Sequence, residues 1–386
     1  MHLVPTAYFF TACTNMGAPA HSWQFASCAG SSIGEKGMIY AAKVMALYGL
    51  KLIEKPELIA QAKEEFDRQM GRAAADASAR SAGWNDDALV RRIDMVDFLK
   101  EAEGIEQEVI GWRRHVHQYP ELLMDLPETA AFVERELKNM GYEPEYICQS
   151  GIVAVLDSQK PGKTLLLRAD MDALPIGEES GLEYASKHPG ISHACGHDTH
   201  IAMLLGAAKL LMKHKDLLRG KVKFMFQPGE EGGGGARTMV EAGVLRSPDV
   251  DACMAFHQVV ARDHVPTGII GYTRGPMMAS ADMFRITVRG KSAHGASPES
   301  GVNPVQILCQ IYNGLQSIEC SEKPRGSALA LTIGQISAGR AGNVIPEQGF
   351  MCGSIRAYEE NVRSLAKRRL KEISEQTAAM YGGRAE

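Results

Sequence analysis

No stretch of about 18 or more apolar residues occurs in this chain, so no membrane-spanning helix is predicted. An excess of positive charge is also lacking. The 42 Lys and Arg stand against 46 Asp and Glu, a formal net charge of −4, and no broad basic field draws the chain toward nucleic acid. The densest basic run, Lys367-Arg368-Arg369, falls in a periodic helical segment and reads as a solvated helix face. The start, Met1-His2-Leu3-Val4-Pro5, has no basic region, and Tyr and Thr interrupt the apolar stretch over 7–12, so a signal peptide is not expected. The eight cysteines show no close pairing, a pattern that suits reduced thiols and a cytoplasmic location better than a disulfide framework. There is no repeat of solenoid length and no low-complexity tract beyond an alanine-rich segment, 73–79.

What is present suits an ordinary globular protein: 386 residues, 45% hydrophobic and 23% charged, enough for two or three domains. Three blocks can be read. Residues 1–70 contain a Gly/Ser-rich stretch over 28–34, an amphipathic helical pattern over 38–47, and a second helix opened by Pro56-Glu57-Leu58, with proline at the favoured first position. Residues 71–104 read as a linker. From 105 onward, strands alternate with helices: helices over 106–117, 128–140, 200–214 and 236–242, strands over 151–156, 164–168, 221–226 and 251–256. This alternation predicts an α/β domain over 105–277, with helices on both faces of a sheet. Near 278 the texture changes. Half-buried alternation over 284–289 and 328–333, with helices over 304–318 and 361–380, predicts a smaller α+β domain with an open-faced antiparallel sheet over 278–386.

The chemistry gathers where the strands of the larger domain end. Open α/β sheets bind ligands outside the carboxyl ends of their strands. The strand over 164–168 leads into Asp170-Met171-Asp172, and that over 221–226 into Glu230-Glu231. The strand over 251–256 leads into His257, and His193-Ala194-Cys195-Gly196-His197-Asp198-Thr199-His200 precedes an apolar helix. Thiolate, imidazole and carboxylate suit divalent ions such as zinc, manganese, cobalt or nickel. Cys195 and His197 are two apart, so one loop can point both inward, and Gly196 permits an unusual backbone angle. Adjacent Glu230 and Glu231 point different ways, so one can bind metal while the other takes a proton; Glu231 is expected as the metal ligand and Glu230 as the general base, taking a proton from metal-activated water and passing it to a leaving nitrogen. The glycines 232–235 keep side chains away from such a centre. Each feature alone has a bland reading, as a structural thiol, a core histidine, a solvated helix start or a turn acid. Together at successive strand ends they point to one site.

These motifs resemble those of the aminoacylase/hippurate hydrolase group of dinuclear metallopeptidases. The resemblance runs over 105–386 and is carried by Arg113-Arg114-His115-Val116-His117 with Pro120-Glu121-Leu122, by 168–175, 193–200 and 227–235, and by Gly342-Asn343-Val344-Ile345-Pro346. It implies a zinc-peptidase-like catalytic domain with a mixed sheet, interrupted by a lid domain that pairs two copies. Two divalent ions are implied, bound by Cys195, His197, Glu231 and His257, with Glu230 as base and Asp170 and Asp172 supporting the ligands from behind. His294 of the lid is implied to stabilise the oxyanion, and Asn343 and Arg356 to contact the substrate, a small N-acyl or N-aroyl amino acid, hippurate-like or aminobenzoyl-glutamate-like. The lid motif departs from the family's Gly-Gly-His-Ala as Ser292-Ala293-His294-Gly295, and Gln258-Val259-Val260 replaces Val-x-Pro after His257. The family pattern places a last lid strand, the rest of the catalytic domain and one further histidine ligand beyond 386. Residues 4–70 resemble the C-terminal end of aminobenzoyl-glutamate hydrolase subunits, through Val4-Pro5-Thr6, 17–24 and 34–38, and in that resemblance His21 is the final ligand. Two origins are open: a fusion with truncation, or a circular permutation in which the first block folds back. An impaired homologue that only binds a partner is the alternative to an enzyme.

Overall fold

The computed structural model describes residues 6–14, 32–54, 56–69, 96–260, 270–271 and 278–386. The chain divides into two compact units, Met1–Tyr272 and Thr273–Glu386.

In the first unit, strand β1 (Thr6–Thr14) is followed by helices α1 (Ser32–Glu54) and α2 (Pro56–Gln69). Next come α3 (Phe98–Gly104), α4 (Glu106–Gln118) and α5 (Pro127–Asn139). Then β2 (Glu145–Tyr146), β3 (Ile152–Asp157) and β4 (Thr164–Asp170) lead to helix α6 (His197–Lys213). Strand β5 (Lys221–Gln227), helix α7 (Gly235–Glu241), β6 (Ala252–Val260) and β7 (Ile270–Gly271) complete it. The sheet order is β2-β3-β5-β4-β6-β1-β7, with β5, β4, β6 and β1 mutually parallel and both margins antiparallel. The parallel centre explains the continuous apolar run Leu165-Leu166-Leu167, since such strands are buried on both faces. Helix α6 is buried on nearly every side, which is why its sequence is apolar all round rather than striped. Its larger side chains, such as Leu204 and Leu205, each contribute about 1.5–3 kcal/mol by leaving water.

Two features bear on the residues before 105. First, the described strand and first helix of the first block pack within the larger unit. β1 pairs in parallel with β6 from Thr6 opposite Cys253 to Ala12 opposite Val259, and α1 places Met38, Ala41, Met45 and Ala46 in the same core as α6. Small residues allow this approach: a side chain at Gly206 of α6 would meet the methyl of buried Ala42 at 3.2 Å. Second, the end of the presumed linker is structured. α3 buries Phe98 and Ala102 in that core, and Asp97 caps it by accepting from the Lys100 N–H; residues 71–95 lie outside the described residues.

The second unit contains β8 (Asp282–Arg289), β9 (Ala293–His294), helix α8 (Pro304–Ser317), β10 (Leu329–Ala338), β11 (Val344–Ile345), β12 (Gln348–Ala357), helix α9 (Glu360–Met380) and β13 (Arg384–Ala385). Its antiparallel sheet has the order β10-β12-β8-β13. The inward residues Ile286, Val288, Leu331, Met351 and Ile355 pack against Ile307, Leu308 and Ile311 of α8 to form a core of its own.

Candidate metal centre

The carboxyl ends of β4 and β5 and the turn before α6 converge beside β6. β4 ends at Asp170, β5 at Gln227, and α6 begins at His197. His257 departs from expectation in one respect. It lies inside β6, which runs on to Val260 because β1 continues the ladder past it, Phe10 opposite His257 and Thr11 opposite Gln258.

The turn that carries Cys195 and His197 depends on Gly196. Its φ is +85°, and a Cβ there would fall 1.4 Å from the Gln258 amide nitrogen, so only glycine fits. The four-glycine run also shapes the backbone after Glu231. Gly234 caps α7 in a left-handed conformation, and a Cβ on Gly235 would collide with the Pro228 carbonyl. Gly234 and Gly235 thus make the turn that leads from Glu231 into α7.

Three ligand groups form, with donor atoms within 4.8 Å of one another: Cys195, His197 and His257; His197, Glu230 and Glu231; Asp170, His197 and His200. His197 is common to all. Its Nδ1–H donates to the Asp172 carbonyl at 2.7 Å, which directs Nε2 inward. There Nε2 is buried without a hydrogen-bond partner, as is Glu231 Oε1, and the two lie 3.9 Å apart. Cys195 Sγ lies 3.5 Å from His257 Nε2. Asp172, fully buried, accepts from the Glu230 N–H at Oδ1 and the Glu231 N–H at Oδ2, both at 2.9 Å. One carboxylate thus fixes both glutamates at the strand end while its own backbone carbonyl fixes His197. The Glu231 side chain is 13% exposed and that of Glu230 42%, consistent with one facing inward and one facing a ligand.

His200 was not singled out from the sequence. Its Nε2 accepts the Gln258 N–H at 3.0 Å, so Nδ1 carries the proton and donates to Asp170 Oδ1 at 2.5 Å. Asp170 also pairs with Arg168 at 2.7 Å. With both nitrogens engaged, His200 holds Asp170 and β6 in place. Its role depends on contacts distant in sequence, so nothing local separates it from an ordinary core histidine.

The electrostatics agree with a cation centre. Burial pushes the Cys195 thiol up to about 12, although His197 opposes this, so only a strong neighbouring positive charge makes it a thiolate. Burial and His200 lower His257 to about 3, leaving a neutral imidazole able to donate a lone pair. Burial disfavours charged His197, yet Asp170 and the hydrogen bond to Asp172 hold it above its ordinary value. Burial, reinforced by Asp170, raises Glu230. Soft and hard donors gathered around two unpartnered buried atoms fit divalent transition ions.

In the second unit, His294 on β9 pairs opposite Val344 of β11, and Gly295 N–H donates to the Asn343 carbonyl at 2.8 Å. His294 and Asn343 are therefore neighbours. Arg356 is exposed on β12. His21 lies outside the described residues.

The model of peptidase family M20/M25/M40 matches residues 166–374, more than half of the chain. The chain belongs to this family. This M20 family member is 40% identical over 299 residues to thermostable carboxypeptidase 1 of Saccharolobus solfataricus, covering 76% of this chain and 75% of that protein. It is 41% identical over 284 residues to N-acetyl-L-cysteine deacetylase of Bacillus subtilis, covering 73% and 67%. Among solved structures it is similar to the Bacillus subtilis YXEP protein, described as a dinuclear metal binding peptidase, with 35% identity, a TM-score of 0.63 and coverage of 74% and 73%. No helix of the described residues is long and apolar enough to cross a membrane.

Proposed function

We propose that this M20 chain hydrolyses the amide bond of an N-acyl or N-aroyl amino acid, releasing a carboxylic acid and the amino acid. The observation that carries this reading is the convergence of Cys195, His197, His257, Glu230 and Glu231, with His197 Nε2 and Glu231 Oε1 buried, unpartnered and 3.9 Å apart. The deacetylase and carboxypeptidase relatives support the substrate class.

Cys195, His197, Glu231 and His257 would hold two divalent ions. When bound, such ions polarise the amide carbonyl and acidify water. Asp172 orients His197 and both glutamates, and Asp170 is held behind them by His200 and Arg168. Glu230, the more exposed glutamate and the one whose proton affinity is raised, takes a proton from the attacking water and delivers it to the leaving nitrogen. His294 would steady the developing oxyanion, while Asn343 and Arg356 would contact the substrate. The resemblance also supports pairing of two copies through the smaller unit. None of the six described cysteines is joined in a disulfide, which supports a cytoplasmic setting.

His21 is proposed as the further ligand. β1 runs parallel to β6, so the chain leaves Thr14 at the same sheet edge as the residues above and reaches His21 shortly afterward in sequence. The test uses the full chain loaded with cobalt, manganese or zinc. Expected are two ions per chain and release of free amino acid from hippurate or N-acetyl amino acids; His21→Ala should remove one ion. Folded, loaded protein that releases nothing from such a panel rejects the hydrolase reading. Two ions retained by His21→Ala reject only the role of His21.

A further inference from the structure

The chemistry above leaves one buried group of charges unused, and part of it comes from the Arg113–His117 motif. Arg113 and His117 lie one turn apart on α4 and meet the first turn of α6. Arg113 Nε donates to Asp198 Oδ2 at 2.6 Å. His117 Nδ1 lies 2.8 Å from the same oxygen, and its Nε2 lies 3.2 Å from both carboxylate oxygens of Glu178. Burial and the neighbouring Arg113 oppose a charge on the ring, yet the carboxylates of Asp198 and Glu178 on its two sides hold its proton affinity above the ordinary value. All four side chains are at most 2% exposed, and Arg113 is the largest fully buried side chain among the described residues.

Removing four charges from water is costly, and apolar residues of similar volume commonly stabilise a core as well or better. A buried ionic chain is better explained by what it holds in one geometry. Asp198 directly follows His197 and belongs to the same first turn of α6. It is therefore joined through the helix start to the left-handed turn at Gly196 that presents both Cys195 and His197. Asp172 reaches this turn only from the side of His197 Nδ1; Asp198 is the anchor on the other side.

We propose that Arg113 and His117 are positioning residues for the metal centre. They clamp Asp198, and through it fix the Cys195-Gly196-His197 turn, so that the thiol and imidazole stand in ligand geometry before any ion arrives. Glu178 supports this indirectly by fixing His117. The inference rests on the dinuclear reading of the site.

The test measures ion affinity rather than turnover. Zinc affinity is taken from competition with a chromogenic chelator, and the visible spectrum of the cobalt-loaded full chain reports the thiolate and the coordination geometry. Asp198→Asn keeps the shape and loses the charge; His117→Gln and Glu178→Gln act one and two steps further out. Circular dichroism of the metal-free proteins selects the variants that fold. Expected is affinity about 10–100-fold weaker for Asp198→Asn and His117→Gln with an altered cobalt spectrum. The loss should be smaller for Glu178→Gln, and Arg113→Lys should retain more affinity than Arg113→Met. Folded variants with wild-type affinity and spectrum overturn the proposal, and because His117→Gln and Glu178→Gln lie off the turn itself, a misfolded Asp198→Asn does not rescue it. Wild-type chain that binds no ion overturns the dinuclear reading, and this inference with it.

Discussion

The proposed division of labour between Glu230 and Glu231 is set out on one side chain, Asp172. Both backbone N–H groups bind its carboxylate; both glutamates bring an oxygen within 4.0 Å of His197 Nε2, but only the Glu231 oxygen is buried there without a hydrogen-bond partner, while the Glu230 side chain stays 42% exposed. Glu230→Gln removes the proton acceptor and leaves this scaffold in place. The expected result is a fall in kcat of about 10²–10⁴-fold with the metal content of the wild type, measured by initial rates and elemental analysis on the same preparation. Loss of an ion with the activity would show that Glu230 is a ligand instead. The residue types and spacing around Cys195, Glu230 and His257 were legible in the sequence because each cluster is local. The bracing by His200, Arg113 and His117 was not. A histidine inside an apolar helix looks the same whether it faces leucine or, as His200 does, an aspartate thirty positions away.

Elements show the same limit. The helices α4, α5, α6, α8 and α9 were legible within a few residues of their ends from period and capping alone, whereas β1 was not. Its sequence, Thr6–Thr14, is a short apolar run broken by threonines, and strand identity there is settled by its pairing with β6 far along the chain. The same pairing explains why His257 is inside a strand rather than at its end. The docking of the first block can be tested where α1 crosses α6. At Gly206 an added methyl would meet Ala42 at 3.2 Å and Val109 at 3.3 Å, a contact tight enough to matter and small enough to relax. Alanine also gains about 1 kcal/mol of helix propensity over glycine, so Gly206→Ala should fall within about 1 kcal/mol of wild type. Gly206→Leu has no such room and should cost about 1–3 kcal/mol by overpacking. Urea unfolding of both variants decides it, since equal stability for leucine would mean that α1 does not pack there.

At the scale of the whole molecule, the two units have separate hydrophobic cores, and the proposed ligands Cys195, His197, Glu231 and His257 all belong to the first. Ions that bind the folded site and not the unfolded chain stabilise it by about 4 kcal/mol when present at about a thousand times their dissociation constant. For a unit of this size that corresponds to a rise in midpoint on the order of 10 °C. The burial that keeps Cys195 protonated adds to the contrast, because a neutral thiol and unpartnered imidazole and carboxylate atoms leave the metal-free site under-satisfied. All three tryptophans, Trp23, Trp84 and Trp112, fall within Met1–Tyr272. Tryptophan fluorescence therefore follows only the metal-holding unit on heating, while far-ultraviolet circular dichroism follows both. Chelation should lower the fluorescence midpoint by about that amount and leave a second, dichroism-detected transition from Thr273–Glu386 in place. A fluorescence midpoint indifferent to chelator would mean that the donors around His197 do not hold ions in the folded chain, and the hydrolase reading would lose its physical basis.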